Sequence, residues 1–359
     1  MPSNATRERN ATENISTVIQ DEPEPQPVFT ATSSNARQLY NVLKCLNFQS
    51  KAQIEINHDG LIVTVEDSRV MQGTAFIESA LFTSFVYNPR PTSEASDPPT
   101  ETFALSLSIL LECLQIFTPA EPRQFSNGGQ TSNNVFSPAI LRSGGTAKFT
   151  YNGPGSPLFL TLAEGGDVTT CELTTYEPEM ILPIPLRMEE LGVKVIMKAA
   201  WLHDAIRELD NNLTDTVTLL LRPSSVPSHP SHPSHPPSAP SAPAPDFLLL
   251  TSGPLGSATV EFGKQIQILH YTEGYRFSYA FHLIKNAGRA MGLATKASVR
   301  GDSQGVLSLQ FMIEGDGGGD RDRDRGGVRG TMGEEQGNMG KKMETSFLDF
   351  RFVAVEEEE

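Results

Sequence analysis

Cationic side chains recur at helical spacing in three separate segments. Arg37 and Lys44 lie within NARQLYNVLKCLN, His203 and Arg207 within AAWLHDAIREL, and His282, Lys285 and Arg289 within FHLIKNAGRAMG. At about 100° per residue, each set falls opposite an apolar stripe. The stripes are Leu39, Val42, Leu43 and Leu46; Leu202, Ala205, Ile206 and Leu209; and Leu283, Ala287, Ala290 and Met291. Cations gathered on one surface would hold phosphate oxygens without reading base sequence. A fourth helical segment, LSILLECLQIF, opposes Leu107, Leu110, Leu114 and Phe117 with Ser108, Glu112 and Gln115, and brings no cation. Every surface helix has a solvated face, so the reading rests on recurrence and not on any one helix.

Other chemistry finds less support. A two-metal nuclease needs several converging carboxylates, commonly announced by Asp-x-Glu on a strand. No Asp in the chain has Glu two positions on, and Glu66-Asp67 is the best strand-end acidic pair. The GKK at 340–342 follows Gly-rich sequence and lacks the Ser or Thr of a phosphate loop. No Ser/His/Asp arrangement stands out, and the expectation is a chain that is not an enzyme. His229, His232 and His235 recur every three residues, but no Cys or carboxylate completes a metal site, so neither metal nor cofactor is expected. Each Arg between 321 and 325 has an Asp neighbour, which cancels the charge an RNA-binding Arg/Gly segment would need. Cys45, Cys113 and Cys171 form no CxxC and read as small apolar core residues in a reducing compartment.

The elements that must position these residues emerge once diluting segments are set aside. A modest apolar fraction of 38% with 26 Pro and 29 Gly suggests a folded core carrying inserts. Residues 1–27 read as a disordered tail, 88–101 and 119–145 as long loops, 223–245 and 315–342 as disordered inserts, and 356–359 as an acidic tail. No apolar run approaches a membrane span, and no membrane partner is expected. What remains is one pattern used twice, over 28–175 and 191–355, with a proline-containing extended connector at 176–190. Each copy reads as strand, helix, strands, then strand, helix, strands. Ser33–Ser34 are expected to cap the first helix, VMQGTAFIESALFTSFVY to continue as strand, and the last helix to run unbroken to Gly292. The fold class is α+β: antiparallel sheets with short amphipathic helices on one face. The net charge of −15 argues against general attraction to nucleic acid, though not against a local cationic face.

Several stretches resemble a known family. GLIVTVEDSRVMQGTAFI at 60–77, LSILLECLQIF at 107–117, PLFLTLAEGGDVTTCELTTYEPE at 157–179 and GVLSLQFMIE at 305–314 are similar to the Rad-one subunit of the nine-one-one DNA-damage checkpoint clamp, within the PCNA-like sliding clamps. The resemblance implies a DNA clamp fold with antiparallel sheets outside and helices lining the inner face. It implies a nuclear heterotrimer with two other clamp subunits, loaded by a clamp loader onto double-stranded DNA that passes through the ring, and recruiting checkpoint and repair proteins. Arg37, Lys44, His203, Arg207, His282, Lys285 and Arg289 would face the DNA. Strands at 168–176 and 257–262 would be the joining edges. Met180, Ile181, Leu182, Pro183 and Ile184 would mark a partner pocket beneath the connector. A homotrimeric replicative clamp, or a metal-dependent 3'-5' exonuclease on the same fold, are the alternatives.

Overall fold

Period-two burial organises the first half of the chain, as a sheet packed on one face requires. In β1 (Phe29–Ser33), β2 (Lys51–Ile56) and β3 (Gly60–Asp67), inward residues such as Ala31, Ile54, Ile56, Val63 and Val65 alternate with more exposed neighbours. The computed structural model describes residues 26–89, 100–116, 145–164, 166–210, 215–223, 245–253, 256–263, 266–314 and 345–356. The tail, loops and inserts expected at 1–27, 88–101, 119–145, 223–245, 315–342 and 356–359 lie almost wholly outside these residues.

Between β1 and β2 runs α1 (Ala36–Lys44), whose buried face is Ala36, Leu39, Val42 and Leu43. Its cap is Asn35, whose Oδ1 accepts from the Gln38 amide at 3.0 Å. Ser33, expected at the cap, instead ends β1 and accepts the Asn35 amide on its Oγ at 3.2 Å. The stretch expected as one strand after residue 70 is interrupted. β4 (Met71–Glu78) gives way to a 3-10 turn at Ser79–Leu81, and β5 (Ser84–Tyr87) then pairs with β1 in a different sheet. The Ser79 amide donates to the Asp59 carbonyl at 2.7 Å, which pins the corner where the chain changes sheets. β6 (Glu101–Ser106) feeds α2 (Leu107–Gln115), and β7 (Thr146–Tyr151), β8 (Leu158–Glu164), β9 (Asp167–Leu173) and β10 (Thr175–Tyr176) follow.

The second half repeats this order. β11 (Leu191–Lys198) leads into α3 (Ala199–Leu209), then β12 (Thr216–Arg222), β13 (Asp246–Gly253), β14 (Gly256–Phe262), β15 (Gln267–Tyr271) and β16 (Arg276–Ala280). The helix expected to reach Gly292 without a break is two short ones, α4 (Phe281–Asn286) and α5 (Gly288–Leu293). The Ala287 amide bonds to Ile284 three residues back, tightening the turn just before Gly288, a weak helix former. β17 (Lys296–Asp302), β18 (Leu307–Glu314) and β19 (Thr345–Phe352) complete the chain. Both long inserts leave from the ends of paired strands, Arg222 opposite Asp246 and Glu314 opposite Thr345, so the sheets close before either insert begins.

Three sheets result: β5-β1-β7-β8-β9; β10-β6-β2-β3-β4-β19-β18-β17-β11-β15; and β14-β13-β12-β16. The order exposes the duplication. β1, β7, β8 and β9 correspond to β11, β17, β18 and β19, while β2, β3, β4 and β6 correspond to β12, β13, β14 and β16. The halves are joined because β4 and β19 pair antiparallel, from Phe76 opposite Phe347 to Met71 opposite Phe352. Gly73 makes that junction possible: a Cβ there would stand 2.9 Å from the Phe48 ring and 3.1 Å from the Phe350 ring. In each half, two sheets and the helices, two in the first half and three in the second, enclose one apolar interior. Leu39, Leu43 and Leu110 close the first from the helical side, and Leu202, Ile206 and Ile284 close the second.

Candidate nucleic-acid interface

Helices pack in pairs, α1 beside α2 and α3 beside α5. Apart from Phe117, which lies outside the described residues, their apolar stripes are buried as the periodicity predicts, which turns the cations outward. Arg37 and Lys44 are half-buried at opposite ends of α1, about 10 Å apart along its axis. Lys44 lies in the last turn, where a cation complements the helix dipole, as does Arg207 in α3. Arg207, His282, Lys285 and Arg289 are exposed.

Three placements were not visible in the sequence. Lys285 Nζ is 2.9 Å from Asp210 Oδ1, so part of its charge is answered by the residue that ends α3. His203 packs over Gly292 of α5, where an added methyl would lie 3.8 Å from the imidazole. It is thus a helix-packing residue as much as a surface one. Arg289 lies within electrostatic reach of Cys45, the residue after Lys44. Burial pushes the Cys45 thiol up to about 12, and the Arg289 charge works against that rise. Asn286 Nδ2, 3.6 Å from Met71 Sδ on β4, makes a second link from the same helical region into the first half. The end of α1 in one half thus lies toward Arg289 of the other, and Arg37 is at the far end of α1.

The exposed helix faces also carry Glu112, Asp204, Glu208 and Asp210. Those four carboxylates nearly offset Arg37, Lys44, Arg207, Lys285 and Arg289. The helical surface is close to neutral rather than cationic.

Only part of the connector is seated. Ile184 is 6% exposed; its amide donates to Gln72 Oε1 at 3.3 Å and its carbonyl accepts from Arg351 Nη1 at 2.7 Å. Beneath it, Asp349 accepts from Arg351 Nε at 3.0 Å, Ser308 Oγ at 2.5 Å and Arg300 Nη2 at 3.5 Å. Further on, the Arg187 amide donates to Asp302 Oδ2 at 3.1 Å. Ser303 Oγ donates to Glu190 at 2.6 Å and, with the Arg187 guanidinium, holds that carboxyl below its ordinary range. By contrast Met180 is 87% and Leu182 61% exposed, Pro183 is exposed and Ile181 half-buried. The five residues grouped in the sequence thus split into one anchor and an apolar, solvent-facing run.

β9 and β14 are terminal strands of two sheets. β14 takes in the whole stretch expected as an edge at 257–262, but the one expected at 168–176 divides: β9 holds it as far as Leu173, while Thr175–Tyr176 form β10, which pairs with β6 at the end of the ten-stranded sheet. Val168 on β9 is 65% exposed. Cys45 is a core residue as expected, whereas Cys113 and Cys171 are half-buried. Among the described residues no cluster of three or more His, Cys, Asp or Glu could hold a metal ion, and no helix is long and apolar enough to cross a membrane.

This geometry has close counterparts. A solved structure of Proliferating Cellular Nuclear Antigen from Entamoeba histolytica superposes with a TM-score of 0.58, covering 92% of this chain and 100% of that one at 13% identity. The fold is the α+β DNA-clamp fold. The "DNA damage checkpoint control protein rad1" of Schizosaccharomyces pombe is 32% identical over 293 residues, 80% of this chain and 82% of that protein. A second relative corrects the expectation that the chain is not an enzyme. The "DNA repair exonuclease REC1" of Mycosarcoma maydis is 22% identical over 180 residues, 46% of this chain and 39% of that protein. An Asp-x-Glu scan sees only carboxylates that are neighbours in sequence, while a metal site can draw them from separate strands, so its failure carries no such exclusion. The family described as "Repair protein Rad1/Rec1/Rad17" matches residues 28–313, and the chain belongs to that family.

Proposed function

We propose that the chain is one subunit of a heterotrimeric ring that encircles double-stranded DNA at damage sites in the nucleus, placed there by a clamp loader and serving as a scaffold for checkpoint and repair proteins. One observation carries this. The halves join through β4 and β19, and the terminal strands β14 and β9 are their counterparts in the repeat. The pairing used inside the chain can therefore be repeated head to tail between chains, β14 of one against β9 of the next, and such a contact closes into a ring when the rotation fits. It would also cover two edges that otherwise invite aggregation. The checkpoint name of the Schizosaccharomyces pombe relative favours the damage-response ring over a replicative homotrimer.

On this reading Arg37, Lys44, His203, Arg207, His282, Lys285 and Arg289 face the hole. Near-neutrality there suits a ring held by closure, with weak phosphate contacts that permit sliding. Light scattering of the chain alone should give no trimer; a stable trimer without partners would overturn the heterotrimer. In the assembled ring, Lys285→Glu with Arg289→Glu should reduce DNA retention and spare assembly. Each lost phosphate contact lowers the salt slope by about 0.9. Because Lys285 is already paired with Asp210, most of the change should come from Arg289. Unchanged retention would show that these residues do not face DNA. The exonuclease named among the relatives favours a second reading, nuclease action, and release of labelled nucleotides from DNA by the purified chain with Mg²⁺ or Mn²⁺ decides it.

A further inference from the structure

Cys113 and Cys171 belong to elements that pack on each other, α2 and β9. Along β9, Val168, Thr170 and Glu172 are exposed on one face, while Thr169, Cys171 and Leu173 turn to the more buried one. Where α2 packs on β9, the Cys113 and Cys171 side chains come near enough to influence each other. Both are half-buried, so neither is sealed from solvent as Cys45 is. We propose that Cys113 and Cys171 form a reversible redox dithiol that peroxide closes to a disulfide, tying the end of α2 to the terminal strand β9.

The chemistry balances with one peroxide. The Cys171 thiolate attacks a peroxide oxygen; the O–O bond breaks, hydroxide leaves to become water, and a sulfenic acid remains. Cys113 sulfur then attacks Cys171 sulfur, the S–S bond forms, the S–O bond breaks, and the Cys113 proton leaves with the hydroxide as a second water. Two thiols lose two electrons and two protons, and the peroxide is reduced to two waters. Cys113 takes the second step because burial, and then its hydrogen bond with Cys171, push it up to about 11 and keep it protonated at neutral pH. In a reducing compartment the pair stands open, and thiol reductants reopen it after oxidation. On the ring reading above, β9 is a joining edge, so closure would act on assembly.

The chain alone suffices for the test. Purified protein is treated with hydrogen peroxide, denatured, alkylated and mapped by mass spectrometry. Of the three cysteines, the alkylated number should fall from three to one, with Cys113 and Cys171 in one linked peptide that dithiothreitol separates. Cys171→Ser should abolish the link and leave Cys113 alkylatable, and Cys45→Ser should preserve it. Three alkylatable thiols at a peroxide concentration that oxidises free cysteine, a sulfenic acid that never links, or pairing with Cys45 or with a second chain would each overturn the proposal. Because nothing here depends on partner subunits, its failure is distinguishable from failure of the ring.

Discussion

Replacing Asp349 by Ala should release the connector and destabilise the junction between the halves. Asp349 is buried on β19 and is the common acceptor for Arg300, Arg351 and Ser308. Removing it strands two guanidinium groups to different degrees. The Arg300 side chain is 14% exposed and has no other carboxylate partner among the described contacts, so it resembles a broken buried pair. Such a loss costs about 3–5 kcal/mol. Arg351 is 31% exposed and can turn to water, so its share is that of a surface pair, about 1 kcal/mol or less. Partial access for Arg300 pulls the first figure to its lower end, giving a total of about 3–4 kcal/mol. Arg351 also holds the Ile184 carbonyl, so the same change should free the connector around it. Urea unfolding should show the stability loss, and limited trypsin digestion should cut faster after Arg187, which is exposed and anchored just downstream. An unchanged unfolding midpoint together with an unchanged cleavage rate at Arg187 would refute the assignment of Asp349 as the centre of this latch.

Gly73→Val should wedge the β4–β19 junction, since even a Cβ stands 2.9 Å from Phe48 and 3.1 Å from Phe350. Overpacking of this kind costs about 1–3 kcal/mol, read as a lower thermal midpoint, and an unaltered midpoint would mean that the rings have room to give. Raising the pH should remove stability through buried tyrosines. Burial pushes Tyr87 and Tyr275 up to about 12 and Tyr279 higher still. The folded state therefore keeps protons that the unfolded chain releases near pH 10. The contribution is complete below about pH 10 and is lost as pH rises toward 12. Absorbance at alkaline pH should show these three of the seven tyrosines ionising late or together with unfolding; normal titration of all seven would contradict their burial.

What the sequence determined by itself is local. Leu39, Val42 and Leu43, and Leu202, Ala205 and Ile206, recur at the helical period, so both their helices and the outward direction of Lys44 and Arg207 follow from spacing. The duplication was legible for the same reason, because a pattern of elements repeats along the chain whether or not the copies touch. Non-local pairing was not legible. Nothing in MQGTAFIE or TSFLDFRF says that one strand of each half will meet the other, since a strand's composition records that it is half-buried and not which edge it finds. Met180 and Ile184 look alike in sequence, yet one is exposed and the other seated. Gln72 and Arg351, from strands far apart in the chain, choose between them. Asp210 beside Lys285, and Cys113 beside Cys171, likewise exist only once the chain has folded back on itself. The sequence set which faces are apolar and which carry charge. The tertiary structure decided which charges are answered, because the Coulomb term depends on distances that spacing along the chain does not contain.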